Sequence, residues 1–423
     1  MNPCFALKGL FVDTPTPGAL RQRQGFLVCE AGRVAGFFDA LPARYARIPV
    51  EDCGDCLVIP GMSDLHLHAP QYSYCGTAMD LELIDWLQRY TYPEEARFSD
   101  PAHARACYQA FTHDLLHTAT TRAAIFATLH TDATLELMRQ LDQAGLGAYV
   151  GKLSMDRSSP DYYSEHSPEN GERETRRWLD ACRAAGFARV HPILTPRFTP
   201  SVSEAYMARL GELARAYAVP MQSHLSESPS EIEWVKALCP DARTYADTYA
   251  RWGLFGGSCP TIMAHCIYCP EEERRMLKDG RVFIAHCPTS NENVIAGIAP
   301  AAHYLRGGYE IGLGSDVAGG HTLDLFAVMA AAVQVSKLRW RCTDPSEKPL
   351  TLPEALYMAT AGGGRFFGRV GLFEAGYAFD AVVVDDSALC RLRSFTPAER
   401  IERCAYLGAA SIASKYVDGH KIL

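Results

Sequence analysis

Residues 57–68 read LVIPGMSDLHLH, an apolar run that ends in two histidines at alternate positions. Successive side chains on an extended strand point to opposite faces, so His66 and His68 project from one side while Leu65 and Leu67 pack on the other. Two neutral imidazoles on one face suit a shared metal ion. An isolated HxH reads more simply as a pair of hydrogen-bonded histidines near a turn, and the rest of the chain has to decide.

Seven further apolar runs come at intervals: TTRAAIFATLH, GAYVGKLSMD, FARVHPILTPRF, AVPMQSHLSES, PTIMAHCIY, RVFIAHCPTSN and EIGLGSDV. Between them lie Ala-, Glu- and Arg-rich stretches such as SEAYMARLGELARAYA and CPEEERRMLKDG, which have the apolar spacing and capping residues of helices. Eight strand–helix units from Leu57 to Val317 predict an α/β fold, a (β/α)8 TIM-like barrel, assigned to residues 63–368. Residues 1–62 and 369–423 differ in style. CFALKGLFV, GFLVCE, GRVAGFF, GYAFDAVVVDD and KYVDGHKIL are short strands between Gly and Pro turns, and predict a small β-sandwich built from both termini.

The composition narrows the function. Of 423 residues, 48% are apolar and 21% charged, the balance of an ordinary soluble globular chain. No window nears the roughly 18 uninterrupted apolar residues of a membrane helix, and MNPCFALKGLFVDTP is not a secretory signal. A cytoplasmic location is expected. Fifteen scattered cysteines, an odd number, read as reduced thiols. The CxxC pairs Cys53/Cys56 and Cys266/Cys269 match no ordinary zinc or redox framework. With 41 basic against 49 acidic residues, a net charge of −8 and no basic run, nucleic acid is excluded as a partner and a small uncharged substrate fits better than a polyanion. GLGSDVAGG lacks the GxGxxG of dinucleotide binding.

In such barrels the chemistry sits at the carboxyl ends of the strands. Those ends carry His66 and His68, Arg197, His224 with Glu227, His265, His286 and Asp316. His66, His68, His224 and Asp316 are read as ligands of one metal, leaving a position for water. Zinc suits an imidazole-rich site, with iron, cobalt or manganese compatible with the same donors. The ion would lower the pKa of bound water from about 16 toward about 7, giving hydroxide as nucleophile. Glu227, three residues after a ligand, is read as a proton donor to the substrate, against the alternative of a carboxylate at a helix N-terminus. Asp316 doubles as the base that takes the water proton and passes it on. His265 holds the hydroxide or a developing oxyanion, or is a fifth ligand. His286 is open between a site role and a structural one.

These residues resemble a known family. PGMSDLHLHAPQYSYCGTAMDLELIDWLQRYTYPEEARF, with GKLSMD, LTPRFTPS, SHLSES, MAHC, AHCPTSN and GLGSDVAGG, is similar in order and over nearly the whole chain to the guanine deaminases of the amidohydrolase superfamily. The resemblance implies a zinc-dependent barrel with a flanking β-sandwich, a homodimer, and conversion of guanine and water to xanthine and ammonia by attack at purine C2. It implies His66, His68, His224 and Asp316 as ligands, Glu227 as proton shuttle and His265 beside the nucleophile. Gln71 in HAPQY, and Arg197 with Phe198 in PRF, correspond to purine-recognition positions: an Arg fork and a Gln amide read ring acceptors and Phe198 covers a ring face. SYCGTAMD and SNENVIAG depart from the family's loops, so a related heterocycle, 8-oxoguanine, a pterin or a triazine, is the alternative substrate. A binuclear cyclic-amide hydrolase needs a bridging lysine at the fourth strand end, where FARVHPILTPRF has none; Lys152 lies on the third. A cytidine-deaminase-type zinc site needs PCxxC, which is absent. A metal-free binding scaffold predicts lost ligands, whereas the full set is present.

Overall fold

The computed structural model describes residues 4–408 and 410–423. Its strands are β1 (Cys4–Thr16), β2 (Ala19–Glu30), β3 (Arg33–Phe38), β4 (Val50–Pro60), β5 (Met62–His68), β6 (Thr120–Phe126), β7 (Gly147–Gly151), β8 (Leu153–Ser154), β9 (Val190–Pro192), β10 (Thr195–Pro196), β11 (Met221–Leu225), β12 (Thr261–His265), β13 (Phe283–His286), β14 (Ile311–Leu313), β15 (Ala381–Asp385), β16 (Ser411–Val417) and β17 (His420–Lys421).

Two four-stranded parallel sheets, β5-β6-β7-β9 and β11-β12-β13-β14, supply the eight barrel strands. They meet on one side at a parallel bridge, Leu194 to Met221. On the other side the seam is closed by the His66 carbonyl accepting from the Asp316 N–H and the Val317 carbonyl accepting from the His68 N–H, both at 2.8 Å. Closure therefore happens where the histidines stand. Gly314, just after β14, permits this approach: a Cβ there would lie 2.8 Å from Cys287 Sγ and 3.0 Å from His66 Cβ. Helices fill the intervals, including Glu204–Tyr217 and Glu271–Asp279 where the apolar spacing predicts them.

Two local expectations are corrected. Leu65 and Leu67 do not share a face: the β5–β6 register shifts between Asp64 and Leu67, and Leu65 packs with Ala124, Ile262, Ala264 and Ala285 while Leu67 joins the main core. An extra residue in one strand of a pair reverses the facing of every side chain beyond it. The fourth run is also broken into β9 and β10, because Pro192 and Pro196 lack the N–H a continuous ladder needs.

The termini form one seven-stranded sheet, in the order β17-β16-β15-β4-β1-β2-β3. Among the described residues they make no second sheet, because β4 pairs with both β1 and β15 and so joins the two ends of the chain in one ladder. In strand β16 of this sheet Lys415 is fully buried, donating to the carbonyls of Leu115 at 3.2 Å and Thr120 at 3.0 Å, with no carboxylate partner among the described residues. Burial pushes its pKa down from 10.5 to about 7. In the window between those values the unfolded chain carries a proton that the folded chain lacks, so stability rises with pH; below about 7 both states are protonated and the cost of the buried ammonium is fully present. Lys415→Met should therefore stabilise the protein by about 2 kcal/mol more at pH near 7 than at pH near 9, read from urea midpoints. An equal effect at both pH values would contradict this.

Among the described residues no helix is long and apolar enough to cross a membrane.

Candidate active site

Strand β5 delivers His66 and His68 with ring centroids 4.9 Å apart, and β11 brings His224 to 4.8 Å from His66 and 5.4 Å from His68. β12 adds His265, 5.6 Å from His66 and 5.4 Å from His224. Asp316, just past β14, places Oδ1 3.1 Å from His66 Nε2 and 3.5 Å from His68 Nε2, and Oδ2 3.6 Å from His265 Nε2. His265 at φ +71° and Asp316 at φ +48° hold left-handed backbone that few side-chain-bearing residues adopt, a strain that clusters at functional sites.

The donor set fits a cation. Ligand atoms of His66, His68 and His224 lie within 4.8 Å of one another, as do those of His66, His265 and Asp316. Both His66 nitrogens, His68 Nδ1 and His265 Nε2 are buried without a hydrogen-bond partner, a costly arrangement unless something else satisfies them. His224 Nδ1 lies 2.5 Å from the Arg197 carbonyl, so Nδ1 carries the proton and Nε2 is free to ligate. Burial first, then neighbouring imidazoles, hold His68 and His224 well below the usual histidine range, in the neutral form a ligand requires. For Asp316 burial opposes ionisation, but His66, His265 and His68 outweigh it and the carboxyl falls well below the usual range.

Glu227 and Asp316 both approach His265 Nε2, at 3.6 Å each. The helix-cap alternative for Glu227 is filled by its neighbour. Glu231 forms a capping box with Ser228 on helix Pro229–Leu238, and also accepts the Glu227 N–H at 2.9 Å. That frees the Glu227 side chain to face the histidines. Burial, then the charges of Glu231 and Asp316, push its carboxyl well above the usual range, which favours its protonated form. His265 Nδ1 donates to Asn291 Oδ1 at 2.8 Å, so neutral His265 presents Nε2 as an acceptor and holds an oxyanion only when protonated.

One cleft is lined by His68, Gln71, Arg197, Phe198, His224, Glu227, His265 and Asp316, with Leu83, Trp86 and Leu87 as apolar walls. His66 is fully buried. The structure thus brings every expected site residue together. His286 is apart: it is buried with neither nitrogen bonded, belongs to neither metal-capable group, and burial lowers its pKa to about 3. Lys152 is committed to Glu165 at 2.5 Å. Cys53, Cys56, Cys266 and Cys269 are thiols.

Sequence reasoning misses Glu95, Asn291 and Glu231. Glu95 lies in the helix Tyr92–Ala96 of YTYPEEARF, fully buried, and binds both Arg197 and Gln71. Its neighbour Glu94 pairs outward with Arg97 at 2.6 Å. The mark available in the sequence is only that tandem acid.

The Amidohydrolase family pattern matches residues 57–413. A guanine deaminase of Dictyostelium discoideum is 36% identical over 381 residues, covering 88% of this chain and 84% of that protein. One of Rattus norvegicus is 38% identical over 335 residues, covering 78% and 73%. Among solved structures, a guanine deaminase from C. acetobutylicum with guanine bound in its active site is 42% identical, superposes with a TM-score of 0.95 and covers both chains completely. With a family pattern spanning most of its length and relatives this similar, the chain belongs to the amidohydrolase family and, within it, to the guanine deaminases.

Proposed function

We propose that the protein hydrolyses guanine to xanthine and ammonia with one divalent cation, zinc, held by His66, His68, His224 and Asp316. The observation that carries this reading is the convergence of unpartnered buried imidazoles and the Asp316 carboxyl beside the cleft that also holds Gln71, Arg197 and Phe198. Membership of the guanine deaminases and a similar structure with bound guanine support the substrate. When bound, the cation's contribution is to acidify water so that hydroxide is available at neutral pH.

The chain's own residues supply orientation and proton transfer. Arg197 and Gln71 donate to the ring acceptors at O6 and N7, and Phe198 packs on a ring face. Glu227 gives its proton to the ring nitrogen beside C2 as electrons move onto it. Asp316 receives the proton of the attacking water and passes it to the leaving amine, while His265 Nε2 accepts a hydrogen bond from that water. The division into a barrel over 63–368 and a terminal β unit from 1–62 and 369–423, a homodimer and a cytoplasmic location belong to the same reading. The pairing of β4 with β15 supports the terminal unit.

Supplying guanine and measuring xanthine and ammonia tests the activity. Equal amounts of both are expected, with 8-oxoguanine, a pterin and a triazine as competing substrates. A preparation with one metal per chain that forms no xanthine would exclude guanine.

A further inference from the structure

We infer that Glu95 is a positioning and specificity-determining residue, which neutralises Arg197 and fixes the Gln71 amide so that the purine end of the cleft selects an uncharged base over an anionic one. This rests on the guanine reading of the cleft. Glu95 Oε1 accepts from Gln71 Nε2 at 2.8 Å and from an Arg197 terminal nitrogen at 3.2 Å, while Oε2 accepts from the other terminal nitrogen at 2.6 Å and from the Tyr163 hydroxyl at 2.9 Å. Four donors fill the capacity of the carboxylate.

That geometry has three consequences. First, Gln71 cannot flip: its Oε1 accepts the Ala318 N–H at 3.1 Å, and reversal would set a carbonyl against the carboxylate. One Nε2 hydrogen therefore stays available in a fixed direction. Second, the Arg197 fork is planar and immobile, with its carbon 5.3 Å from the centre of the Tyr92 ring. Third, charge is balanced. Arg197 and Glu95 are 2% and 0% exposed, so water does little to screen either. An anion approaching Arg197 meets Glu95 as well, whereas a neutral base takes only the remaining N–H donors. Xanthine has a second ring N–H and a second carbonyl and ionises more readily than guanine, so the same pair favours entry of substrate and departure of ionised product.

The test compares the wild-type enzyme with Glu95→Gln, which keeps the shape but removes the charge and turns one acceptor oxygen into a donor amide. Metal content should not change. The KM for guanine should rise about tenfold to a hundredfold, the value of one charge-assisted hydrogen bond, with kcat held within about threefold. Xanthine inhibition, measured relative to the less acidic hypoxanthine from about pH 6 to about pH 8, should weaken with pH in the wild type and strengthen in the variant. A residue that only supports the fold would move neither KM alone nor this ratio. Should the variant fail to fold, the wild-type ratio decides: relative inhibition that strengthens with pH overturns the inference. So does an unchanged KM in a folded variant. Wild-type protein that turns over no guanine overturns the functional reading and this inference with it, whereas normal turnover with either adverse result overturns the inference alone.

Discussion

Replacing Glu227 by glutamine lowers kcat for guanine by about 10²- to 10⁴-fold, the range of general acid–base catalysis, with metal content unchanged. The surroundings of the carboxyl are the cause. It is buried, it faces the negative charges of Glu231 and Asp316, and all three circumstances favour the protonated form. A proton held there is in the right place, because Glu227 shares the cleft with Gln71, Arg197 and Phe198 and lies beside His265. Glutamine preserves volume and a hydrogen-bonding tip but has no proton to transfer. These facts set the sign of the pH dependence. A group active when protonated, with a raised pKa, limits the rate on the alkaline side, and that limb should vanish in the variant while any acid limb persists. Retention of the wild-type rate, or of the alkaline limb, would remove Glu227 from the proton path. Glu231 is what leaves Glu227 free for this role, because it caps helix Pro229–Leu238, the N-terminus to which Glu227 would otherwise be drawn.

How much of this was legible in the sequence depends on the range of the interaction responsible. Strand alternation is local, so HxH, the histidine in SHLSES and the aspartate in GLGSDV could be set at strand ends before any contact was known. The barrel could be read from eight repeats of that rhythm. Glu95 was not legible, because in a helix of five residues nothing local tells which of two adjacent acids turns inward; the decision is made by Arg197 and Gln71, more than twenty residues away in either case. Asn291 was hidden for the same reason, its partner His265 being on another strand. The shift between Asp64 and Leu67 also leaves no local mark, since it is a property of the β5–β6 pairing and not of β5 alone. At the termini the strands were readable from composition, but their partners were not: β1 pairs in parallel with β4, and β4 in turn with β15, about three hundred residues on. The broken fourth strand is the opposite case, since Pro192 and Pro196 were visible and their missing N–H groups argue for it.

Exhaustive dialysis against a chelator should abolish turnover and stoichiometric zinc should restore it, and Asp316→Asn separates the two roles assigned to that residue. The carboxylate stands 3.1 Å from one imidazole and 3.5 Å from the next, and their proximity keeps it ionised despite burial. Asparagine retains one carbonyl oxygen but neither the charge nor the capacity to take up a proton. Loss of the charge should weaken metal binding by at least the about 10- to 100-fold that even indirect changes around such sites cause. Excess zinc should then refill the site, as metal analysis would show, because three imidazoles remain within 4.8 Å of one another. The rate should stay about 10²- to 10⁴-fold down nonetheless, since no base is left in position to receive the proton of the attacking water. Recovery of full turnover on refilling would make Asp316 a ligand alone and move the base to His265, whose Nε2 is the other proton acceptor facing the same space. Failure of metal removal to affect turnover at all would count against the whole arrangement, because the unpartnered nitrogens of His66, His68 and His265 would then be left with no purpose that offsets the cost of burying them.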